Sequence, residues 1–115
     1  MSYDLGLYYD GIPAVVARHA EGGTYAVGGI MAAELTITYN YSRYYKDQLD
    51  AEQGIRWLYG KTGGATISRL EDAVAFLGTT QDTDYWKITA GNAGYALSIL
   101  LTWANEHPNA VWDGD

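Results

Sequence analysis

Few side chains in this sequence stand at spacings that chemistry demands. Gly60-Lys61-Thr62 ends like a phosphate-binding loop, in which backbone amides encircle the phosphates. That loop needs a glycine five residues before its second glycine, and the position is held by Ile55, with Gly54 one place off. It also needs a strand ahead of it, whereas the preceding residues read as helix. A helix-to-helix turn accounts for it better. His19 and His107 are the only histidines, and with carboxylates they form no recognised metal spacing. His107, just before Pro108 at a helix end, reads as a partner for the helix dipole; His19 reads as a surface or strand-edge residue. Asp82-Thr83-Asp84 and Asp113-Gly114-Asp115 each offer two carboxylates, where calcium loops need three or more ligands. Ser42, Ser68 and Ser98 lack a nucleophile elbow or a partnering base. No catalytic residue, metal ligand or cofactor is expected, and a hydrolase built on a spatial carboxylate pair is the minor enzymatic reading.

Binding chemistry is better represented. Eleven tyrosines and four tryptophans stand against one phenylalanine, and such rings, apolar with a polar handle, suit half-buried and interfacial positions. Tyr39, Tyr41, Tyr44 and Tyr45 crowd one short stretch, and Trp57, Tyr59, Tyr85 and Trp86 come later in loop-adjacent places. Tyr44 and Tyr45 are adjacent, so at most one faces the core well. Trp57 beside Arg56, and Trp86 beside Lys87, offer flat surfaces with a cation nearby. These aromatics are the candidate partner-binding set, or the walls of a pocket for a planar ligand. The competing reading is that they cover a sheet.

The net charge of −7 repels phosphate backbones, so direct nucleic-acid binding is not expected. A basic protein surface is the natural partner. Asp47, Asp50 and Glu52, flanking Lys46, and the pair Asp82 and Asp84 are the acidic candidates for imitating phosphates toward it. A solvated surface that keeps the chain soluble is the plainer account.

The elements that must position these groups emerge from periodicity. Tyr3, Leu5, Leu7 and Tyr9 alternate with Asp4, Gly6, Tyr8 and Asp10, the pattern of a half-buried strand. Ala14 to His19 reads as a second strand, and Thr24 to Val27 as a short piece between glycine pairs. Glu34 to Tyr41 gives the strongest strand signal, with Leu35, Ile37, Tyr39 and Tyr41 on one side and a polar face on the other. Ser42 is placed as the cap of a short helix to Leu49, and Asp50 as the cap of another reaching Tyr59. Thr66 to Leu77 carries helical spacing with Gly78 as its stop. Thr89 caps a last helix to about Glu106, closed by Pro108. Ala110-Val111-Trp112 reads as a final edge strand. The expected fold is α+β: one domain over 1–115, a small antiparallel sheet on two main helices and one or two short ones. No apolar run is long enough to span a bilayer, the first residues do not read as a signal peptide, and cysteine is absent. A cytoplasmic protein is expected.

Several strings together carry a likeness. Ser2-Tyr3-Asp4-Leu5, Gly22-Gly23-Thr24-Tyr25-Ala26-Val27-Gly28-Gly29, Glu34 to Ser42 and Gly60-Lys61-Thr62-Gly63 occur in order. Asp84-Tyr85-Trp86, Gly91-Asn92-Ala93, Trp103-Ala104, His107-Pro108 and Val111-Trp112 complete the series. Over nearly its full length the chain resembles a family of short, uncharacterised proteins encoded by bacteriophages and integrated elements. The resemblance implies an origin and no activity. Asn92, in the first turn of a helix, is the residue within these strings placed to hold either a neighbouring segment or a ligand. The leading expectation is a non-catalytic phage protein, acting in the host cytoplasm, that blocks a bacterial defence component such as a CRISPR effector. The alternative is a binder that sequesters a nucleotide signal. Self-association is compatible with either.

Overall fold

The computed structural model describes residues 2–20, 29–84 and 86–115. The expected strand at Thr24 to Val27 and the candidate Tyr85 lie outside them. Strand β1 (Ser2–Tyr9) obeys its alternation: Tyr3, Leu5 and Leu7 are buried, while Asp4 is exposed and Tyr8 half-buried on the other face. Asp10 and Gly11, both at positive φ (49° and 79°), make the tight two-residue turn into β2 (Ile12–Pro13). Ala14 is the pivot after it. Its N–H donates to Leu7 O and its carbonyl accepts from Ala33 N, both at 2.9 Å. From there β3 (Val15–His19) leaves the main sheet and pairs antiparallel with β4 (Ile30–Ala32).

Strand β5 (Glu34–Thr38) returns along β1 in register Leu5↔Leu35 and Tyr3↔Ile37. The strand signal extends to Tyr41, but the strand ends at Thr38. There Thr38 Oγ1 accepts from Asn40 N (3.2 Å) and opens a 3-10 turn over Tyr39–Tyr41. Helix α1 (Ser42–Gln48) continues it directly, so Ser42 is its first residue and not its cap. Asp50 does bond the next backbone amides, but Gly54 at φ 58° limits the expected second helix to a 3-10 turn, Gly54–Leu58.

Helix α2 (Gly63–Leu77) begins three residues before the apolar spacing does, because Thr62 Oγ1 accepts from Ala65 N (3.3 Å). Gly78, at φ 77°, closes it. Helix α3 (Ala90–Glu106) is capped by Thr89, whose Oγ1 accepts from Asn92 N at 3.1 Å. The two helices run side by side at backbone contact. A Cβ on Gly94 would lie 1.8 Å from Gly78 O, and one on Gly63 would lie 2.9 Å from His107 O. Only glycine permits that approach.

Strand β6 (Val111–Gly114) pairs with the flank of β1 opposite β5, in register Leu7↔Trp112. Its own outer side is covered by the Gly60–Lys61 turn, where Gly60 N donates to Trp112 O and Trp112 N to Lys61 O, both at 2.9 Å. The turn that resembles a phosphate loop is therefore a guard on a strand edge. Leu5, Leu7, Ile37 and Trp112 from the sheet meet Leu70 and Ala73 of α2 and Leu97, Leu100 and Trp103 of α3 in one core. Trp112 Nε1 donates to the buried Thr66 Oγ1 at 2.9 Å, which satisfies its polar tip. The architecture is α+β, a sheet packed on helices by one face, with the other face open. Among the described residues no helix is long and apolar enough to cross a membrane.

Candidate functional site

The tyrosine-rich corner does not form the expected face. Tyr41 and Tyr45 are fully buried, their rings edge-to-face at 6.4 Å, and Tyr45 Oη donates to Ala93 O at 3.1 Å. The 3-10 turn swings Tyr41 under the sheet, and Tyr45 comes one helical turn later on the same side. Both belong to the core and cannot meet a partner. Of the adjacent pair, Tyr45 is the ring that enters the core and Tyr44 stays half-buried.

The remaining rings of this corner are covered by the chain's own cations. Arg56 lies 5.0 Å from the Tyr3 ring and 5.7 Å from that of Tyr39. Arg43 lies 5.0 Å from Tyr44, and Lys61 and Arg69 lie 4.3 and 4.9 Å from Trp57. Arg56 also donates to Tyr39 Oη (3.1 Å) and to Asp115 O (3.0 Å). Burial pushes the hydroxyls of Tyr3 and Tyr59 upward, opposed in both by the nearby Arg56 charge. Trp86 alone among the described candidates is well exposed.

Three of the acidic candidates serve turns. Asp50 Oδ2 accepts from Gln53 N (2.7 Å) and Glu52 N (3.1 Å), bonds that hold its carboxyl below the ordinary 3.8. Asp82 Oδ1 accepts from Asp84 N at 2.9 Å, which lowers its carboxyl likewise, and its Oδ2 pairs with Lys87 at 3.5 Å. Asp84 Oδ1 accepts from Trp86 N at 3.0 Å. Asp47 and Glu52 stand exposed at the end of α1 and in the turn beyond it. Asn92 is the staple of the same loop. Its amide nitrogen donates to Asp84 O and Lys87 O, both at 3.1 Å, and its Oδ1 accepts from Asp82 N at 2.9 Å. Both amide hydrogens are thus engaged, and Asn92 holds backbone in place of a ligand.

His107 also straps elements together. Its Nε2 donates to Val15 O (2.8 Å), which leaves Nδ1 facing Tyr9 Oη at 2.9 Å, so the ring ties the end of α3 to β1 and β3. Among the described residues no three His, Asp or Glu side chains stand close enough to hold a metal.

The open sheet face gathers acidic groups that no sequence motif announces. The register sets Asp113, Gly6 and Glu34 side by side across three strands, with Asp4 beside Thr36 in the next outward row. Tyr8 folds over Gly6, where a Cβ would meet its hydroxyl at 2.8 Å, and donates to Glu34 Oε2 at 2.9 Å. Desolvation, then the Glu34 bond and charge, push this phenol up to about 12. Asp4 Oδ1 accepts from Thr36 Oγ1 (2.8 Å), Asp115 Oδ1 from Asp4 N (3.0 Å) and Asp113 Oδ1 from Gly114 N (2.8 Å). Each side-chain carboxylate is oriented by a neutral donor, and none is in an ion pair; Lys87–Asp82 is the one such pair among the described residues. A shallow hollow of about 450 Å³ between Tyr8, Asp10, Val111 and Asp113 adjoins this face. No family model, curated protein or solved structure matches the chain.

The alternation of β1 already carries the signal for this face, since Asp4 and Tyr8 occupy its outward positions. What it lacks is the pairing with Glu34 and Asp113, which only the register supplies. A second concavity, of about 460 Å³, lies between β3, β5 and α3, with Arg18, His19 and Asp82 in its lining.

Proposed function

We propose that the protein is a non-catalytic binding protein of phage origin whose open sheet face docks on a basic surface of a host protein. The candidate host class is a defence component that handles nucleic acid, such as a CRISPR effector. One observation carries the reading: the side chains of Asp4, Glu34 and Asp113 are fixed by neutral donors on one open face and form no ion pair among the described residues. Glu34 and Asp113 flank β1 at two strand spacings, about 10 Å, and Asp4 lies about 7 Å along the strand from their row. Charges so spaced and pre-oriented complement a surface that holds successive phosphates, and they raise association rates through the long-range field. The phage origin rests on the series of strings from Ser2-Tyr3-Asp4-Leu5 to Val111-Trp112. Interfering with a nucleic-acid site by occupying it asks nothing of this chain but shape and charge.

The experiment is binding of the purified protein to isolated nucleic-acid-processing defence complexes, titrated at several salt concentrations. Affinity should fall steeply with salt. The triple variant Asp4→Lys/Glu34→Lys/Asp113→Lys should weaken it by about a hundredfold or more, roughly 3 kcal/mol. Asp47→Lys/Glu52→Lys, away from the sheet, should weaken it far less. Full affinity in the triple variant would remove the sheet face from the interaction.

A further inference from the structure

A cleft of about 460 Å³ opens between the end of β3, strand β5, helix α3 and the loop 81–83, a size suited to a small organic molecule. Leu35, Ile37, Ala96 and Ile99 give it an apolar wall. The Gln81 amide, the Thr83 hydroxyl and the Tyr95 phenol also belong to its lining. None of these three side chains makes a hydrogen bond among the described residues. Tyr95 is 39% exposed, so a solute can reach it from outside.

The ionisable groups of the same lining are already engaged by the protein itself. Arg18 is held in part by Gly29 O, at 3.4 Å. Each ring nitrogen of His19 faces a backbone carbonyl, Nδ1 that of Ala20 at 2.9 Å and Nε2 that of Ala32 at 2.7 Å. Asp82 Oδ1 accepts from Asp84 N at 2.9 Å, and its Oδ2 pairs with Lys87 at 3.5 Å. The Asn92 amide, which also borders the cleft, is spent on the backbone of the loop. An ionic ligand therefore finds no ionisable group that the protein has not already engaged. What the cleft leaves open to an occupant is neutral: an amide, a hydroxyl, a phenol and the apolar wall.

From this division we propose that the cleft is a binding site for an uncharged planar heterocycle, a nucleoside or its free base. The ring lies on the apolar wall, and its edge of donors and acceptors meets Gln81, whose amide carries a donor and an acceptor side by side. The Thr83 and Tyr95 hydroxyls, each able to donate or accept, answer the remaining polar groups of the ligand. A hydrocarbon would cover the wall but strip water from three polar side chains without replacing it. A simple sugar would answer those side chains and set its own hydroxyls against the wall. A ligand that is apolar on its faces and polar along its edge does both. This site is separate from the sheet face and does not depend on it.

The test is isothermal titration of the whole protein with adenosine, guanosine, cytidine and uridine, with their 5′-monophosphates as comparisons. At least one nucleoside should bind saturably, with a Kd below about 1 mM. Its monophosphate should bind no more tightly, because the added charge meets no open counter-charge in the cleft and a protein of net charge −7 around it. Gln81→Ala and Tyr95→Ala, both at exposed positions, should each weaken nucleoside binding about tenfold, with circular dichroism and melting confirming that the fold is kept. Asp4→Lys/Glu34→Lys/Asp113→Lys should leave that affinity unchanged, which separates this site from the docking face. Three results would overturn the proposal: no saturable binding by any of the four nucleosides, a monophosphate that binds more tightly than its nucleoside, or undiminished binding in either single variant.

Discussion

The tyrosine-rich corner and the open sheet face share one small molecule and treat charge in opposite ways. Around the 3-10 turns and α1, four of the seven basic side chains lie on aromatic rings, within 5.7 Å of their centroids. On the sheet, the side-chain carboxylates of Asp4, Glu34 and Asp113 are held by hydroxyls and a backbone amide and form no ion pair among the described residues. The difference explains the aromatic surplus without an interface. Rings and cations complete each other at the corner, at about 0.5–1 kcal/mol per exposed contact, and this withholds the cations from the acidic face. Negative potential persists there because positive charge is anchored elsewhere.

Truncating the corner's buried rings gives the strongest way to break this contrast. Tyr45→Ala should cost about 3–5 kcal/mol in urea unfolding, the value of a large core ring, and a loss under ~1 kcal/mol would return Tyr45 to the surface. Asn92→Ala removes three bonds from the loop 82–89 and should cost about 2 kcal/mol; hydrogen exchange of Asp82 N should then accelerate, and unchanged exchange would deny the staple. Arg56→Ala uncovers Tyr3 and Tyr39 and should cost about 1–2 kcal/mol, read by the same unfolding curves. Asp113→Lys on the sheet should shift stability by only about 0.5 kcal/mol, while a comparable loss at both sites would erase the distinction between them.

The smallest effect concerns acid. The folded-state carboxyls of Asp50 and Asp82 titrate below their ordinary 3.8, so the stability they add is present above that value and is lost as pH falls through the lower folded value. Asp50→Ala should therefore lower stability at neutral pH and flatten its decline on acidification below about pH 4. A decline of unchanged steepness would mean that its amide contacts contribute nothing.

Much of the frame was legible. The alternation from Tyr3 to Leu7, the helical spacing from Ile67 to Leu77 and the Thr89 cap each state a local preference that tertiary packing leaves intact. The start of α2 was obscured because Gly63 and Gly64 look like turn residues; their purpose is the backbone contact with His107 and Pro108, which lie over forty residues away. Tyr39 and Tyr41 continue the period-2 pattern of β5, yet alternate residues also suit a 3-10 turn that ends in the core. The candidate docking face was harder to see. It joins residues from both ends of the described chain, and so leaves no local spacing to find.

The central position of β1 has a consequence for how the molecule is made. Its residues Leu5 to Tyr8 are bonded on one flank by β6, whose partners lie about a hundred positions later in the chain. A ribosome delivers β1 first and Trp112 more than a hundred peptide bonds afterwards, so the sheet cannot close while translation of that stretch is under way. Until then an apolar strand waits with one side unbonded, exposed to chaperones or to a neighbouring nascent copy.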